Sequence, residues 1–230
     1  SVLFAKGQSE EALAAFERAL ALKPDYAEAH GNIGRVLIEQ GDSAAALVRY
    51  ERAAQVAPES VSARYNRAIV WLLTGNFKQG WPEYEWRWQL ANVRKRPHGQ
   101  AWQGEPLANR TILLYPEQGL GDTLQFIRYA PLVQARGGRV ILGCAKKLIP
   151  LLSSCPGIDQ IYGEDETDPP RYDLHAALLS LPGIFQTDLN SIPANVPYLA
   201  PPEQLVAEWQ AKLPADGSLR VGIQWQGSAS

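Results

Sequence analysis

The feature that most constrains the fold is a 34-residue periodicity in the first part of the chain. Five columns of residue type keep this spacing: Gly7, Gly41 and Gly75; Ala12, Ala46 and Gly80; Phe16, Tyr50 and Tyr84; Ala19, Ala53 and Arg87; and Pro24 with Pro58. In a helical hairpin, glycine ends the first helix and small residues let the two helices approach. The aromatic residue fills the gap between them, and proline ends the second helix. The spacing therefore predicts a stack of helical hairpins.

These columns resemble the tetratricopeptide repeat, a helix-turn-helix unit of 34 residues. The resemblance covers residues 1 to 92. The third repeat departs from the pattern, because Arg87 stands in a column of small residues and the segment WPEYEWRW is rich in tryptophan. Helical spacing puts Trp81, Tyr84 and Trp88 on one face, which we expect to pack inside the repeat. Trp86 would then be free for a neighbouring domain, and we expect aromatic contacts of Trp86 or Trp102 to join the repeats to it.

The repeats also suggest a binding surface for an extended peptide. Asn32 and Asn66 are equivalent residues of two successive repeats, on the helices that line the concave face of such a solenoid. An amide there can hydrogen-bond a peptide backbone without reading its side chains. The O-linked N-acetylglucosaminyltransferases, which join such repeats to a GT-B enzyme, are similar in using an inward row of asparagines.

Composition excludes several classes of protein. The 230 residues are 46% apolar, which suffices for a hydrophobic core, and a formal charge of −2 does not favour nucleic acid as a partner. No apolar run reaches the length of a membrane span, and the N-terminal residues lack the pattern of a secretory signal. Cys144 and Cys155 lack metal-ligand or disulfide spacing, so we expect a cytoplasmic protein without a bound metal. We also expect no cofactor. The absence of an initiator Met and the ending GSAS suggest a piece of a longer protein.

The second part of the chain has a different pattern, and most of the 17 prolines lie in it. We expect a linker at residues 93–109, an α/β domain at 110–201, and a connecting helix followed by a further strand at 202–230. Short apolar runs predict strands at Thr111 to Tyr115, Arg139 to Cys144, Ile158 to Tyr162, Tyr172 to His175 and Leu219 to Trp225. Helices are predicted at Asp122 to Val133, Lys146 to Ser153 and Pro202 to Leu213. The alternation predicts a Rossmann-like, doubly wound parallel sheet, so the whole chain is multidomain, α then α/β.

The candidate site is the segment ILLYPEQGLGDTLQFIRY, in which a strand runs into a glycine-rich loop and then a helix. Such a loop presents backbone N–H groups at a helix start. It lacks the Gly-Lys-Ser/Thr of a Walker loop. A dinucleotide fingerprint is also absent, because Leu124 replaces its third glycine and Cys144 and Ala145 follow the second strand in place of an acid. These departures disfavour a nucleotide-dependent oxidoreductase.

This segment, with Cys155-Pro156-Gly157-Ile158-Asp159 downstream, resembles the first domain of the heptosyltransferase-like glycosyltransferases of GT-B fold. The longer motif EQGLGDTLQFIRY is similar to bacterial proteins that join tetratricopeptide repeats to such a domain. The resemblance implies the acceptor-side half of an inverting glycosyltransferase. The nucleotide sugar would bind mainly to a second half that follows this chain, and the acceptor would be a sugar or a protein.

The resemblance also implies roles for individual residues. Asp122 maps onto the proposed general base, with His175 as the other catalytic candidate. The substrate-binding candidates are Gln118, Gly119, Gly121, Gln125 and Arg128. The residues themselves leave simpler alternatives open, because Asp122 also suits a helix N-cap and Arg128 also suits a helix surface. The main alternative function is a non-catalytic scaffold that binds proteins through its repeats.

Overall fold

The structure is a computed structural model that describes residues 9–91, 96–166, 170–213, 217 and 221. Before residue 85 it consists of five helices: α1 (Ser9–Leu22), α2 (Ala27–Glu39), α3 (Ser43–Val56), α4 (Val61–Leu73) and α5 (Phe77–Tyr84). A 3₁₀ helix, Glu85–Gln89, continues α5. Helices α1 to α4 thus form consecutive antiparallel pairs, and the predicted helical array is confirmed to Gln89.

The repeated columns act as the sequence predicts. Gly41 and Gly75 follow α2 and α4 with φ of +82°, a left-handed conformation that glycine adopts without strain. A Cβ atom on Gly34 would lie 2.8 Å from the ring of Tyr50, so glycine is needed where α2 crosses α3. Ala46 and Ala53 are fully buried on α3. Small residues and one aromatic residue therefore set the distance between neighbouring helices.

A five-stranded sheet follows, with strands β1 (Gln100–Ala101), β2 (Thr111–Tyr115), β3 (Arg139–Cys144), β4 (Gln160–Gly163) and β5 (Leu174–Ala177). The spatial order is β1-β5-β2-β3-β4, and every neighbouring pair is parallel. The chain moves outward from β2 to β4 and then returns to the other side of β2 with β5. This reversal creates a crevice at the carboxyl ends of β2 and β5, the usual ligand site of such sheets.

Short helices connect the strands. They are α6 (Leu120–Phe126), α7 (Ala130–Gln134), α8 (Ile149–Leu152) and α9 (Leu181–Ile184), each continuous with a short 3₁₀ segment, and α10 (Glu203–Lys212) lies near the end of the described chain. The predicted parallel α/β fold is confirmed, and most element ends agree within two residues. Except for Val221, the strand predicted at Leu219 to Trp225 lies outside the described residues, as do Arg94 and Lys95 of the predicted linker. Within that linker, β1 pairs with β5 and Trp102 is buried.

The sheet is apolar on both faces. Alternate residues of the central strands, such as Ile112, Leu114 and Leu142, join the large core that includes residues of α7, α8 and α9. The residues between them, Leu113, Tyr115, Ile141 and Ala177, form a smaller cluster on the other face. Aromatic side chains pack on that cluster, namely Trp88, Tyr162 and Tyr172.

The repeats pack directly on the α/β part. Ala68 and Tyr84 from the helices belong to the same core cluster as the sheet residues. Trp81 donates a hydrogen bond from Nε1 to the carbonyl of Thr187 at 2.8 Å, and the ring of Trp88 lies 6.4 Å from that of Tyr115. Of the two tryptophans expected to make this contact, Trp86 lies under the guanidinium of Arg64, in the repeats, whereas Trp102 belongs to the same core cluster as Tyr84 of α5.

The change of helix type explains the difference. After Tyr84 the chain winds as a 3₁₀ helix, with about three residues per turn instead of 3.6. Residues three apart then share a face, so Glu85 and Trp88 lie together and Trp88 Nε1 donates to Glu85 Oε2 at 3.0 Å. The α-helical spacing that grouped Trp81, Tyr84 and Trp88 inside the repeat does not hold across this boundary.

Candidate functional site

The candidate site lies at the carboxyl ends of β2 and β5, where the loop 116–119 and the turn 178–180 follow the two strands. The glycine-rich loop leads into α6, whose N-cap is Gly119. Asp122 is the third residue of this helix rather than its N-cap, and its Oδ2 accepts the N–H of Gly119 at 3.1 Å. No described residue donates a hydrogen bond to Oδ1. One oxygen of the carboxylate therefore stabilises the loop, and the other is available to a ligand.

The glycines of this loop have open surroundings. A Cβ atom on Gly121 would meet nothing within 4 Å. Both Gly119 and Gly121 have φ in a range that other residues adopt, since neither is among the residues with positive φ. Backbone geometry and packing therefore do not require glycine at position 121, and space remains for a molecule to approach the backbone there.

The remaining substrate-binding candidates are placed differently. Gln118 donates to the hydroxyl of Tyr84 at 3.3 Å, so it bridges to the repeats, and Gln125 is exposed on α6. Arg128 donates to the hydroxyl of Tyr198 at 3.0 Å and to the carbonyl of Pro193 at 3.3 Å. Through these contacts, Arg128 holds the segment 193–198 against the 3₁₀ turn that follows α6.

Sequence reasoning missed a buried ion pair that joins the repeats to this loop. Arg87 Nε and Nη2 both lie 2.6 Å from Oε1 of Glu117, the residue that precedes Gln118. Nη2 also donates to the hydroxyl of Ser180 at 2.7 Å, and Nη1 contacts Glu85 Oε1 at 2.6 Å. The side chain of Arg87 is 1% exposed and that of Glu117 is 0% exposed. A side chain of the last repeat thus occupies the crevice between β2 and β5.

The electrostatics of this pair are unusual. Burial raises the pKa of Glu117 to about 7, although the charge and hydrogen bonds of Arg87 oppose the increase. Oε2 of Glu117 is buried and has no hydrogen-bond partner among the described residues. For Arg87, burial lowers the pKa, but the charges of Glu117 and Glu85 outweigh burial and raise it. Arg87 is therefore charged, whereas Glu117 can take up a proton near neutral pH.

A cavity of about 320 Å³ lies beside this pair, between the last repeat and the carboxyl ends of β1, β5 and β2. We call it the junction cavity. Its aromatic lining residues are Trp81, Trp88, Trp102 and Tyr115, and its polar ones are Glu85, Arg96, Gln103, His175, Ser180 and Gln186. Both parts of the chain therefore contribute to it.

His175 lies on β5, in the wall of the junction cavity. It is 3% exposed, and its ring is edge-on to that of Tyr115 at 5.7 Å. Burial lowers its pKa, while a hydrogen bond to the backbone of Gly99 raises it and the charge of Arg96 lowers it further. The ring is therefore neutral at pH 7. Its Nδ1 atom is buried without a hydrogen-bond partner among the described residues.

The structure thus divides the predicted site residues into separate groups. Gln118, Gly119, Gly121 and Asp122 share one loop, and His175 lines the neighbouring cavity. Asn32 and Asn66 lie on α2 and α4, half-buried, and neither side-chain amide forms a hydrogen bond with another described residue. The signal that could have revealed the ion pair was Arg87 itself, a cation in a column of small residues.

Other chemistry is limited within the described residues. They contain no group of three or more His, Cys, Asp and Glu placed to hold a metal ion. Cys144 and Cys155 are free and buried, and burial raises the pKa of both thiols to about 11. None of the described helices is long and apolar enough to cross a membrane.

Comparison with known proteins supports the helical part. A family model described as "TPR repeat" matches residues 1–41, and one described as "Tetratricopeptide repeat" matches residues 32–80. The chain therefore contains tetratricopeptide repeats, a type of repeat that serves protein interaction. Protein FlbA of Caulobacter vibrioides is 27% identical over 250 aligned positions, which cover 98% of this chain and 42% of FlbA. The chain thus spans less than half the length of this relative.

Solved structures with similar parts have low overall similarity. The alignment with a double mutant of MamA RS-1 covers 39% of this chain and 50% of the MamA chain, with 22% identity and a TM-score of 0.36. The alignment with a crystal structure of MamA protein covers 41% of this chain and 55% of the MamA chain, with 22% identity and a TM-score of 0.33. The alignment with a mutant O-GlcNAc transferase of Thermobaculum terrenum covers 69% of this chain and 38% of the transferase chain, with 14% identity and a TM-score of 0.34.

Proposed function

We propose that this chain is the acceptor-side half of a GT-B glycosyltransferase, to which tetratricopeptide repeats are joined for binding a protein partner. The resemblance of the motif EQGLGDTLQFIRY to the heptosyltransferase-like enzymes suggests the reaction. The observation that supports it is the position of Asp122 at the carboxyl end of the sheet, with one oxygen hydrogen-bonded to Gly119 and the other without a partner among the described residues. We also expect a cytoplasmic location, from the spacing of the two cysteines.

In this proposal Asp122 is the general base. Its free oxygen takes the proton of an acceptor hydroxyl as that hydroxyl oxygen forms a bond to the anomeric carbon of the donor sugar. The bond from that carbon to the nucleoside diphosphate breaks, and the diphosphate leaves with the electron pair. Because the acceptor oxygen attacks the face opposite the leaving group, the configuration is inverted. A GT-B reaction occurs between two halves. We therefore expect the 230-residue chain alone not to transfer sugar from a nucleotide sugar.

The test is Asp122→Asn in the full-length protein. Asparagine still offers an oxygen to the N–H of Gly119, so we expect a stability loss of at most about 1 kcal/mol. It cannot accept the proton, so turnover of the nucleotide sugar should fall by a factor on the order of 10² to 10⁴. The measurements are the melting temperature and the rate of nucleoside diphosphate release.

Asp173→Asn is the matched control. Oδ2 of Asp173 also accepts one backbone N–H, that of Thr111 at 2.8 Å, but at the amino end of β2. This variant should lose a similar amount of stability and keep its turnover. If Asp122→Asn transfers sugar at nearly the wild-type rate, Asp122 is not the base and His175 becomes the next candidate.

A non-catalytic scaffold is the second candidate function, and the position of Arg87 favours it. The crevice in which such a sheet binds ligands is filled by Arg87 and Glu117. A full-length protein that binds a partner through its repeats but neither hydrolyses nor transfers any nucleotide sugar would support the scaffold over the enzyme.

Peptide capture by Asn32 and Asn66 is part of both candidates. If the two amides hold a peptide backbone, Asn32→Ala combined with Asn66→Ala should weaken partner binding by tenfold or more, about 1.4 kcal/mol or above. The α/β part should keep its melting temperature. Unchanged affinity in the double variant would exclude the asparagine pair as the peptide site.

A further inference from the structure

We propose that the groove between α4 and α5 binds an acidic segment of a protein partner, through carboxylates that pair with Arg64 and Lys78. Its lining includes Arg64, Trp71, Lys78, Glu83 and Trp86, and we call it the third-repeat groove. Among the described residues no asparagine lines this groove, so it is a second surface beside the proposed peptide site. This assignment rests on the proposed binding of a protein by the repeats, and it adds the chemistry of that protein.

Two tryptophan rings hold the arginines at this groove in place. Helical spacing puts Arg64, Arg67 and Trp71 on the side of α4 that faces α5. The guanidinium of Arg64 lies over the ring of Trp86, 4.2 Å from its centre. That of Arg67 lies over the ring of Trp71 at 4.6 Å. Because stacking fixes the plane of a guanidinium, less conformational entropy is lost when it pairs with a carboxylate.

The groove carries a positive charge that its own residues do not compensate. Glu83 is the one carboxylate among its described lining residues. Arg67 takes most of that negative charge, because its Nε donates to Oε2 of Glu83 at 2.7 Å and its Nη2 contacts Oε1. Nη1 of Arg64 is more distant, at 3.5 Å from Oε1. Three cations, Arg64, Arg67 and Lys78, thus face one carboxylate, which leaves a formal charge of +2 in a chain whose net charge is −2.

Hydrogen-bond donors in the groove are accessible to a ligand. Nε of Arg64 donates to the carbonyl of Pro58 at 2.6 Å, but its Nη2 has no hydrogen-bond partner among the described residues. The side chain of Arg64 is 29% exposed, so a ligand can reach it. Lys78 is exposed, and its ammonium pairs with no other described residue. An Asp or Glu side chain of a partner can therefore form charge-assisted hydrogen bonds here without breaking a contact within the chain.

Size and stacking favour a protein segment over a nucleic acid. The groove has a volume of about 360 Å³, which suits one or two side chains rather than a row of bases. A guanidinium already covers one face of each tryptophan ring, whereas proteins that bind single strands stack bases on open aromatic faces. Nucleic-acid binding also relies on many phosphate contacts, and this groove offers two uncompensated charges.

Fluorescence anisotropy with the full-length protein tests the proposal. The probes are rhodamine-labelled peptides of five Gly-Glu pairs and of five Gly-Gln pairs, with a labelled single strand of ten deoxythymidines as an anion of another class. We expect the Gly-Glu peptide to bind about tenfold more tightly than the Gly-Gln peptide, and this difference to shrink when salt is raised from about 50 to about 500 mM. Equal binding of the two peptides, no binding of either, or tighter binding of the oligonucleotide would overturn the proposal.

A charge reversal and a matched control locate the binding. Lys78→Glu should weaken binding of the Gly-Glu peptide about tenfold or more. Lys147→Glu makes the same change in net charge at an exposed lysine of the α/β part, in the 3₁₀ segment before α8, and should leave the affinity within about twofold. Both variants should keep the wild-type melting temperature, since neither ammonium has a partner among the described residues. An equal loss of affinity in the two variants would show a general charge effect and refute the groove.

The outcome is separable from that of the proposed function. Sugar turnover that depends on Asp122, without binding of the Gly-Glu peptide, would refute the groove and leave the enzyme standing. A protein partner whose binding is lost in the double asparagine variant but unchanged in Lys78→Glu would refute the groove and leave protein binding by the repeats standing. Binding of the Gly-Glu peptide that Lys78→Glu abolishes, in a protein without turnover, would support the groove.

Discussion

Arg87→Ala is the most informative perturbation of this protein, because it removes the cation that joins the repeats to the sheet. The variant loses the two contacts of the guanidinium with Oε1 of Glu117, both at 2.6 Å, and the hydrogen bond to Ser180 at 2.7 Å. Glu85 is 40% exposed and regains water, so its lost contact contributes little. The side chain of Glu117 is fully buried and cannot regain water, so the free-energy cost of the substitution comes from its unpaired carboxyl group.

The size of the effect depends on pH. Above the pKa of Glu117, removing one partner of a buried pair costs about 3–5 kcal/mol. Below it, the carboxyl group is neutral, and an unpaired buried polar group costs about 1–3 kcal/mol. Burial raises the pKa of Glu117 from 4.5 to about 7. The folded protein therefore binds a proton that the unfolded chain has released, and stability falls as pH rises from 4.5 to about 7.

Without Arg87, the pKa of Glu117 rises further, because the opposing positive charge is gone. The window in which stability falls then extends above pH 7. We expect Arg87→Ala to destabilise the protein more at about pH 8.5 than at about pH 5. Urea unfolding followed by tryptophan fluorescence measures the free energy of unfolding at each pH. Trp81, Trp88 and Trp102 report it, since they line the junction cavity.

Two controls separate this cause from others. Arg52→Ala removes an equally close ion pair, with Asp25, that is exposed, so its effect should be below about 1 kcal/mol at both pH values. Adding Glu117→Gln to Arg87→Ala removes the titrating group and should abolish the difference between the two pH values. The reasoning would be refuted if Arg87→Ala lowered the free energy of unfolding by less than about 1 kcal/mol at pH 8.5, or by the same amount at both pH values.

Four further predictions concern the junction, the core and the glycine-rich loop. A chain ending at residue 91 should stay helical but unfold at a lower temperature than the repeats in the whole chain, and independent melting of the two parts would contradict docking. Trp81→Phe should cost about 1 kcal/mol more than Trp86→Phe in urea unfolding, since it loses the hydrogen bond across the junction. Gly157→Ala should be strongly destabilising in the same assay, because φ is +84° and the added Cβ would lie 2.4 Å from backbone. Gly121→Ala should change stability by less than about 1 kcal/mol, because its surroundings are open; a loss like that of Gly157→Ala would show that position 121 is packed.

The helical part was predictable because its determinants are local. Residues 34 apart hold equivalent positions, so the buried Ala46 and Tyr50 already appear in the sequence as a small residue and an aromatic one in fixed columns. The strands were predictable for a similar reason, because runs such as Arg139–Cys144 are buried on both faces and read as continuous apolar segments.

The candidate site was predictable only in part. The sequence placed Gly119, Gly121 and Asp122 in a loop between a strand and a helix, and the structure places them at the carboxyl end of β2. The sequence could not place Asp122 at the third helical position rather than the N-cap, since helix ends shift by one or two residues without changing the pattern.

The sequence by itself thus determined the order of the elements, the helical repeats and the parallel character of the sheet, because these depend on periodicity and apolar runs along the chain. Only the tertiary structure decided that Arg87 pairs with Glu117 and that Trp81 and Trp88, rather than Trp86, contact the α/β part. The orientation of Trp86 and Trp88 depends on the passage from an α-helix to a 3₁₀ helix at Glu85, which no periodic pattern marks. The ion pair joins residues 30 positions apart, and its pairing depends on how the repeats and the α/β part pack against each other.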